Sequence, residues 1–292
     1  MFELKRSEYP HLHQIEPTNA CPYNCIMCPR GKHMKRPVGY IDIELFRKVM
    51  DEVAGYPDEV KKKEIELFHF GESLLHPDIA EMNAYTVAQG LNPVLSVNAI
   101  EMDLEMTEKL ILGKAYKIIV SLDGFDAESF HQIRGRKIDY ELAIENILAC
   151  GELIKTHQSD TKLVVRMIAM AANAHKIPEF VEFWKDKGIE AEIREFFPWG
   201  EQEMEGLGDY NKYPPFMICP FAWQYVVVQW NGDVVACCRD YNAENVMGNV
   251  KDASLVEIWN GKAYKDFRNN MISGNYQNKI CGPCMELYYT EE

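Results

Sequence analysis

Six β-rich apolar runs with helical patterns between them constrain this chain more than any other feature. The runs fall at 11–17, 63–70, 91–98, 116–122, 162–170 and 189–197. The helical patterns fall at 42–54, 78–90, 103–113, 127–133, 139–156 and 176–187. In the fifth, Leu142, Ile144, Ile147, Leu148 and Ile154 give one buried face. Strand and helix in alternation imply a parallel sheet with right-handed crossovers, since parallel neighbours can be joined only across a face of the sheet. Six units are fewer than the eight of a closed barrel. The expected fold class is therefore α/β, as a partial (β/α)6 barrel or an open sheet.

The pattern changes near residue 200. Residues 201–218 are rich in Gly, Pro and acids and read as a linker. In the next stretch, QYVVVQWNGDVVACC, two β runs flank Asn231-Gly232. Both turn residues tolerate positive φ, which signals a hairpin. A helix is expected over about 254–272, with Ser254 as N-cap and Glu257 at capping-box spacing. The expected organisation is a partial barrel over 1–200, a linker over 201–218 and a small β-hairpin-plus-helix domain over 219–292. Bound metal would add stability to so small a unit.

The net charge of −14 on 292 residues disfavours phosphate backbones, so no nucleic-acid partner is expected. No apolar run approaches the ~20 residues of a membrane span, and the N-terminus lacks the apolar core of a signal peptide. A cytoplasmic protein without a membrane partner is expected. In that reducing compartment the nine cysteines are poor candidates for disulfides. Their clustering is the informative feature. Cys21, Cys25 and Cys28 lie together, Cys219, Cys237, Cys238, Cys281 and Cys284 lie in the last quarter, and Cys150 sits on the apolar pattern of a helix, a core position.

Three thiolates within eight residues can hold three corners of a [4Fe–4S] cube and leave one iron open. Zinc with His33 as a fourth ligand is the alternative. In the tail, Cys219, Cys237, Cys281 and Cys284 can close a metal site, with Cys237 ending the second hairpin strand and Cys281-Gly-Pro-Cys284 forming a CxxC turn. Structural zinc is the plain reading of such a set.

Cys21-x3-Cys25-x2-Cys28 after the first strand resembles the signature of the radical S-adenosylmethionine (SAM) superfamily. Further residues at successive strand ends carry the resemblance. Phe70-Gly71-Glu72-Ser73 is similar to the family's Gly-Gly-Glu motif, although Phe70 replaces the commoner first glycine and Ser73 a frequent proline. Ser96-Val-Asn98, Ser121-Leu-Asp123 and Arg134-Gly135 are similar to further SAM-contacting stretches. The tail resembles the truncated SPASM, or twitch, extension found in enzymes that act on carbohydrates and aminocyclitols.

The resemblance implies two [4Fe–4S] clusters and SAM as cofactors. Cys21, Cys25 and Cys28 would hold the SAM-binding cluster. Cys219, Cys237, Cys281 and Cys284 would hold the auxiliary one. Gly71, Glu72, Ser96, Asn98, Ser121, Asp123 and Arg134 would meet SAM, and Met27 would pack near its adenine. Reductive cleavage of SAM would give a 5′-deoxyadenosyl radical that abstracts hydrogen from a C–H bond, with an electron donor such as flavodoxin or ferredoxin. The expected enzyme is an oxidoreductase or epimerase acting at a carbinol carbon of a sugar- or aminocyclitol-like small molecule. Modification of a ribosomal peptide is the alternative. Cys238 is a candidate hydrogen-atom donor, a substitute ligand for Cys237, or a packing residue. Arg166, inside an apolar strand, either faces the cavity or makes a structural ion pair. Glu190, Glu192, Glu195, Glu201, Glu203 and Glu205 either meet an amine-bearing substrate or form a solvated face.

Overall fold

A computed structural model describes residues 6–135, 139–199, 202–209, 219 and 221–288. Strands β1 (His11–Ile15), β2 (Glu64–Glu66), β3 (Asn92–Val97), β4 (Lys117–Ser121), β5 (Lys162–Ala169) and β6 (Glu190–Glu195) lie side by side in chain order, all parallel. Helices α1 (Ile43–Ala54), α2 (Ile79–Ala88), α3 (Leu104–Leu112), α4 (Ala127–Arg134), α5 (Tyr140–Thr156) and α6 (Ile177–Asp186) connect them. The alternation read from the sequence is the one observed. β2 is shorter than its apolar run. Leu67 still bonds across to Val94, but Phe70 N–H turns to the Glu16 carboxylate and Gly71 takes φ +112. The second half of that run leaves the ladder to shape a loop.

The six parallel strands do not close on themselves. β6 is an edge, and the free side of β1 is taken by β7 (Tyr225–Val228), in parallel register from His11 beside Tyr225 to Ile15 beside Val228. An antiparallel hairpin joins β7 to β8 (Asp233–Val235), with Gly232 at φ +91, and β9 (Val246–Asn249) adds a ninth strand. Helices α7 (Phe221–Gln224), α8 (Leu255–Asn260), α9 (Lys262–Ile272) and α10 (Cys281–Tyr288) complete the described tail. One apolar core runs from Phe46, Ile65, Val120, Phe180 and Trp184 into Val226, Val228, Trp259 and Tyr264. Cys150 is fully buried in it.

Three local expectations are corrected. The helix expected over 254–272 is two helices: the capping box of Ser254 and Glu257 starts α8, and Gly261 then turns extended and caps α9. The short β9 gave no alternating pattern to read. Cys281-Gly-Pro-Cys284 opens α10 rather than forming an isolated turn. Pro283 lies in the first turn, where its missing N–H costs no helical bond. Cys237 lies two residues beyond the end of β8. Of the 201–218 stretch, only 202–209 is described, as a short 3-10 segment over Gln202–Leu207 followed by two loop residues; the remainder lies outside the described residues.

Glu16 joins the parts. Its fully buried carboxylate receives both guanidinium arms of Arg36 at 2.8 Å. It also accepts the N–H groups of Phe70 and Trp230 at 3.3 and 3.2 Å. One side chain thus gathers the ends of β1, β2 and β7. Burial pushes its carboxyl up, but the bonds from Arg36 and the nearby His69 outweigh this and hold it at about 2. Relative to the ordinary 4.5, this contributes about 3 kcal/mol. That stability is fully present above pH 4.5 and is lost as pH falls toward 2. Glu16→Gln leaves Arg36 buried beside a neutral amide and should cost about 3–5 kcal/mol in urea denaturation at neutral pH. The deficit should shrink as pH falls below the unfolded carboxyl's range; a deficit that is constant down to pH 2 contradicts this account.

Candidate active site

The loop after β1 carries the first three cysteines, and its backbone is braced at each end. Asn19 donates to Pro37 O at 2.9 Å and accepts from Gly39 N–H at 2.9 Å, and Arg30 Nε donates to Asn19 O at 2.7 Å. Two glycines hold its flanks. A Cβ on Gly71 would lie 2.3 Å from Thr18 O, and a Cβ on Gly135 would lie 2.1 Å from Asn24 O. Glu72 N–H bonds to Ala20 O at 2.7 Å, and Ile26 N–H to Ile133 O at 2.9 Å. The loop is thus seated between the turn after β2 and the end of α4.

A cavity of about 280 Å³ opens beside it. The structure brings every expected residue of the first site to its wall: Cys21, Cys25, Met27, Cys28, Gly71, Glu72, Ser96, Asn98, Ser121, Asp123 and Arg134. Glu72 accepts from Leu74 N–H at 3.0 Å and from the backbone and side-chain amides of Asn98 at 2.7 and 2.5 Å. Burial nevertheless pushes its carboxyl up to about 7. Asp123, at φ +60, accepts from Ile168 N–H at 2.8 Å and pairs with Arg134 at 3.1 Å. Arg134 also reaches Cys25 Sγ at 3.5 Å. Ser96 and Ser121 hydroxyls lie 3.4 Å apart on neighbouring strands.

Three thiols on one loop are the donor chemistry of a metal cluster, although no three His, Cys, Asp or Glu side chains among the described residues are gathered as they would be around a metal ion. Burial pushes Cys21 up to about 11 and Cys28 up to about 12, and the nearby Cys25 adds to both shifts. A bound metal's charge would favour the thiolate form that burial alone disfavours at Cys21 and Cys28. His33 is not among the wall residues; its carbonyl accepts from Asn242.

A second cavity of about 870 Å³ shares Phe68, His69, Phe70, Arg166, Phe197 and Trp199 with the first. Cys238 opens onto it, as do Gln14, Glu66 and Arg239. Arg166 both faces this space and pairs with Glu192 at 2.8 Å, which unites its two expected roles. Glu190, Glu192 and Glu195 lie on the wall. Glu201, and the side chains of Glu203 and Glu205, lie outside the described residues.

Behind Cys238, Cys219, Cys237, Cys281 and Cys284 act on one another electrostatically, and burial pushes Cys219 up to about 11 and Cys281 up to about 12. The four come from the approach to α7, the segment after β8 and the start of α10. None of the nine cysteines is in a disulfide.

Sequence reasoning missed His69, Trp199 and Arg239. His69 lies 3.5 Å from Glu16 and 2.8 Å from the Cys238 carbonyl, and so ties that segment to β2. Its only signal was its place one residue before Phe70-Gly71. Trp199 donates to the Met27 carbonyl at 2.9 Å, and nothing in its sequence surroundings marks it. Arg239 had the signal of adjoining Cys238.

Fold and donor sets define an iron–sulfur enzyme of the radical type. Residues 15–186 match the model of the radical SAM superfamily, and residues 219–285 match that of the SPASM iron–sulfur cluster-binding domain. The chain belongs to the radical SAM superfamily, whose cofactors are SAM and iron–sulfur clusters. It is 23% identical over 92% of its length, and 86% of the relative's, to the tungsten-containing aldehyde ferredoxin oxidoreductase cofactor-modifying protein of Pyrococcus furiosus. It is 29% identical to the AdoMet-dependent heme synthase of Methanosarcina barkeri over 62% of this chain and 49% of that protein. Among solved structures, BtrN in complex with AdoMet and 2-DOIA matches with a TM-score of 0.61 at 18% identity, covering 93% of this chain and 91% of that one. Streptococcus suis SuiB bound to its precursor peptide SuiA matches with a TM-score of 0.73 at 13% identity, covering 90% and 67%. No helix among the described residues is long and apolar enough to cross a membrane.

The Gly71 cradle yields a direct test. Gly71→Ala forces a Cβ against the backbone at positive φ, which costs about 1–3 kcal/mol. We expect a lowered melting temperature and weakened SAM binding in calorimetry, whereas Gly90→Ala, which meets nothing within 4 Å, should cost only the strain of its own positive φ and leave SAM binding intact.

Proposed function

We propose that this enzyme abstracts hydrogen from a carbinol C–H of a hydroxylated small molecule of the sugar or aminocyclitol class, and that oxidation or epimerisation follows. The observation that carries the reading is the pair of connected cavities. The smaller lies against three thiols, and the larger places Cys238 opposite polar strand residues. Cavities of about 300–1,000 Å³ suit small ligands, and the larger one, about 870 Å³, falls in that range. When bound, SAM and the first cluster supply a hydrogen-abstracting 5′-deoxyadenosyl radical, and the second cluster supplies an electron acceptor.

The chain's own residues do the rest. Cys21, Cys25 and Cys28 hold the first cluster. Gly71, Glu72, Ser96, Asn98, Ser121, Asp123 and Arg134 position SAM, with Met27 beside its adenine. Cys219, Cys237, Cys281 and Cys284 hold the second cluster. Glu66, Glu192 and Glu195 offer acceptors to substrate hydroxyl or ammonium groups, and Arg166 offers donors. Cys238 presents a thiol to the same space and returns a hydrogen atom if the outcome is epimerisation. We assign 1–200 to the barrel, 201–218 to a linker and 219–292 to the cluster-binding tail.

Cys25→Ala should abolish 5′-deoxyadenosine formation from SAM and dithionite; retained formation sinks the first-site assignment. Substrate conversion in D2O then separates the outcomes. An epimerase places solvent deuterium on the reacting carbon and loses this product in Cys238→Ala. A dehydrogenase forms ketone with little change in that variant.

A further inference from the structure

The residue after Cys238 joins the large cavity to the four-cysteine site. Arg239 donates from Nη1 to Cys284 Sγ at 2.8 Å, and its backbone N–H points to Cys237 Sγ at 3.4 Å. Its guanidinium carbon lies 3.5 Å from the centre of the Phe197 ring. Phe197 in turn meets Trp199 edge-on at 5.1 Å, and both line the two cavities. Arg239 itself lines the larger one. A single cation therefore touches one sulfur of the tail site, a ring on the cavity wall and the cavity itself.

We propose that Arg239 is an electrostatic tuning residue of the tail cluster, fixed in place by stacking on Phe197, and that it makes this cluster a readier one-electron acceptor. The inference rests on the assignment of Cys219, Cys237, Cys281 and Cys284 as its ligands. The physical basis is charge. A cluster held by four thiolates gains one further negative charge when it takes up one electron. A guanidinium stays protonated at any working pH, so it favours that reduced form over the oxidised one. Hydrogen bonds to cluster sulfurs and local net charge both set such potentials. The ring holds the guanidinium from the cavity side by cation–π attraction, so the side chain does not need to reorganise when the electron arrives.

The test is a mediated potentiometric titration, followed by EPR, of the anaerobically reconstituted full chain in a Cys25→Ala background, so that the tail cluster alone is read. Arg239→Gln should retain the tail iron and make reduction at least tenfold less favourable, a lowering of about 59 mV for one electron. Arg239→Lys keeps the charge and should recover most of the parent potential. An unchanged potential in an iron-replete Arg239→Gln, or in Arg239→Met if the Gln variant does not hold iron, overturns the proposal. If both neutral variants lose the tail iron while Arg239→Lys keeps it, the cation holds the cluster rather than tuning it, and the proposal is overturned. Loss in all three marks a folding role and overturns it. Cys281→Ala in the same background tests the underlying assignment separately: an unchanged iron and sulfide content there means that the ligand set, not the tuning residue, is wrong.

Discussion

The fully buried Glu16 carboxylate is the point on which this architecture converges. It stands at the exit of β1, where the chain must leave the sheet to form the cysteine loop. An uncompensated carboxylate at that depth would be costly. The fold answers with the paired arms of Arg36, two backbone N–H groups and the nearby His69. Arg36 comes from the far end of the cysteine loop, Phe70 and His69 from the end of β2, and Trp230 from the hairpin turn of the tail. Arg36 also donates to the Tyr241 carbonyl at 2.7 Å. One buried charge therefore sets the relative positions of the loop, the Gly71 turn and the segment that bears Cys238.

Around that fixed centre the two cavities share part of their walls. Trp199 and Phe197 belong to that shared wall: Trp199 donates to the Met27 carbonyl, and Phe197 carries the Arg239 guanidinium. The first site is bounded by strand ends, as expected where loops gather at the C-terminal edge of parallel strands. The second is bounded by the hairpin and α10. Its placement follows from β7 lying beside β1, which continues the same sheet into the tail. The larger cavity combines carboxylates, arginines and a thiol.

Most of the fold could be read in the sequence because its signals are local. Apolar periodicity, the Ser254 capping box and the Asn231-Gly232 turn each act within a few residues. The cysteine spacings and the Gly71-Glu72 turn marked the site for the same reason. The pairing of β7 with β1 was not legible, since nothing in YVVV states which edge it joins. Nor were the contacts of His69, Trp199 and Arg239, which link segments far apart in the chain. The division of 254–272 at Gly261 was missed because one glycine within a good helical pattern is compatible with continuation. Cys150 and the capping box of Ser254, both local features, stand where they were expected.

The placement of β7 also bears on how the molecule is made. β1 is synthesised well before its neighbour β7, since Tyr225 is paired with His11 across more than two hundred residues. Contacts of such long range form slowly, and during translation the N-terminal units emerge first. Until the tail leaves the ribosome, β1 has an open hydrogen-bonding edge and Glu16 lacks the N–H of Trp230. The cysteine loop, by contrast, has its Gly71 and Gly135 supports as soon as four strands and α4 are complete. The nascent chain thus passes through a stage in which the first donor set is assembled while the sheet beside it is still unpaired, which gives the two metal sites a natural order of maturation.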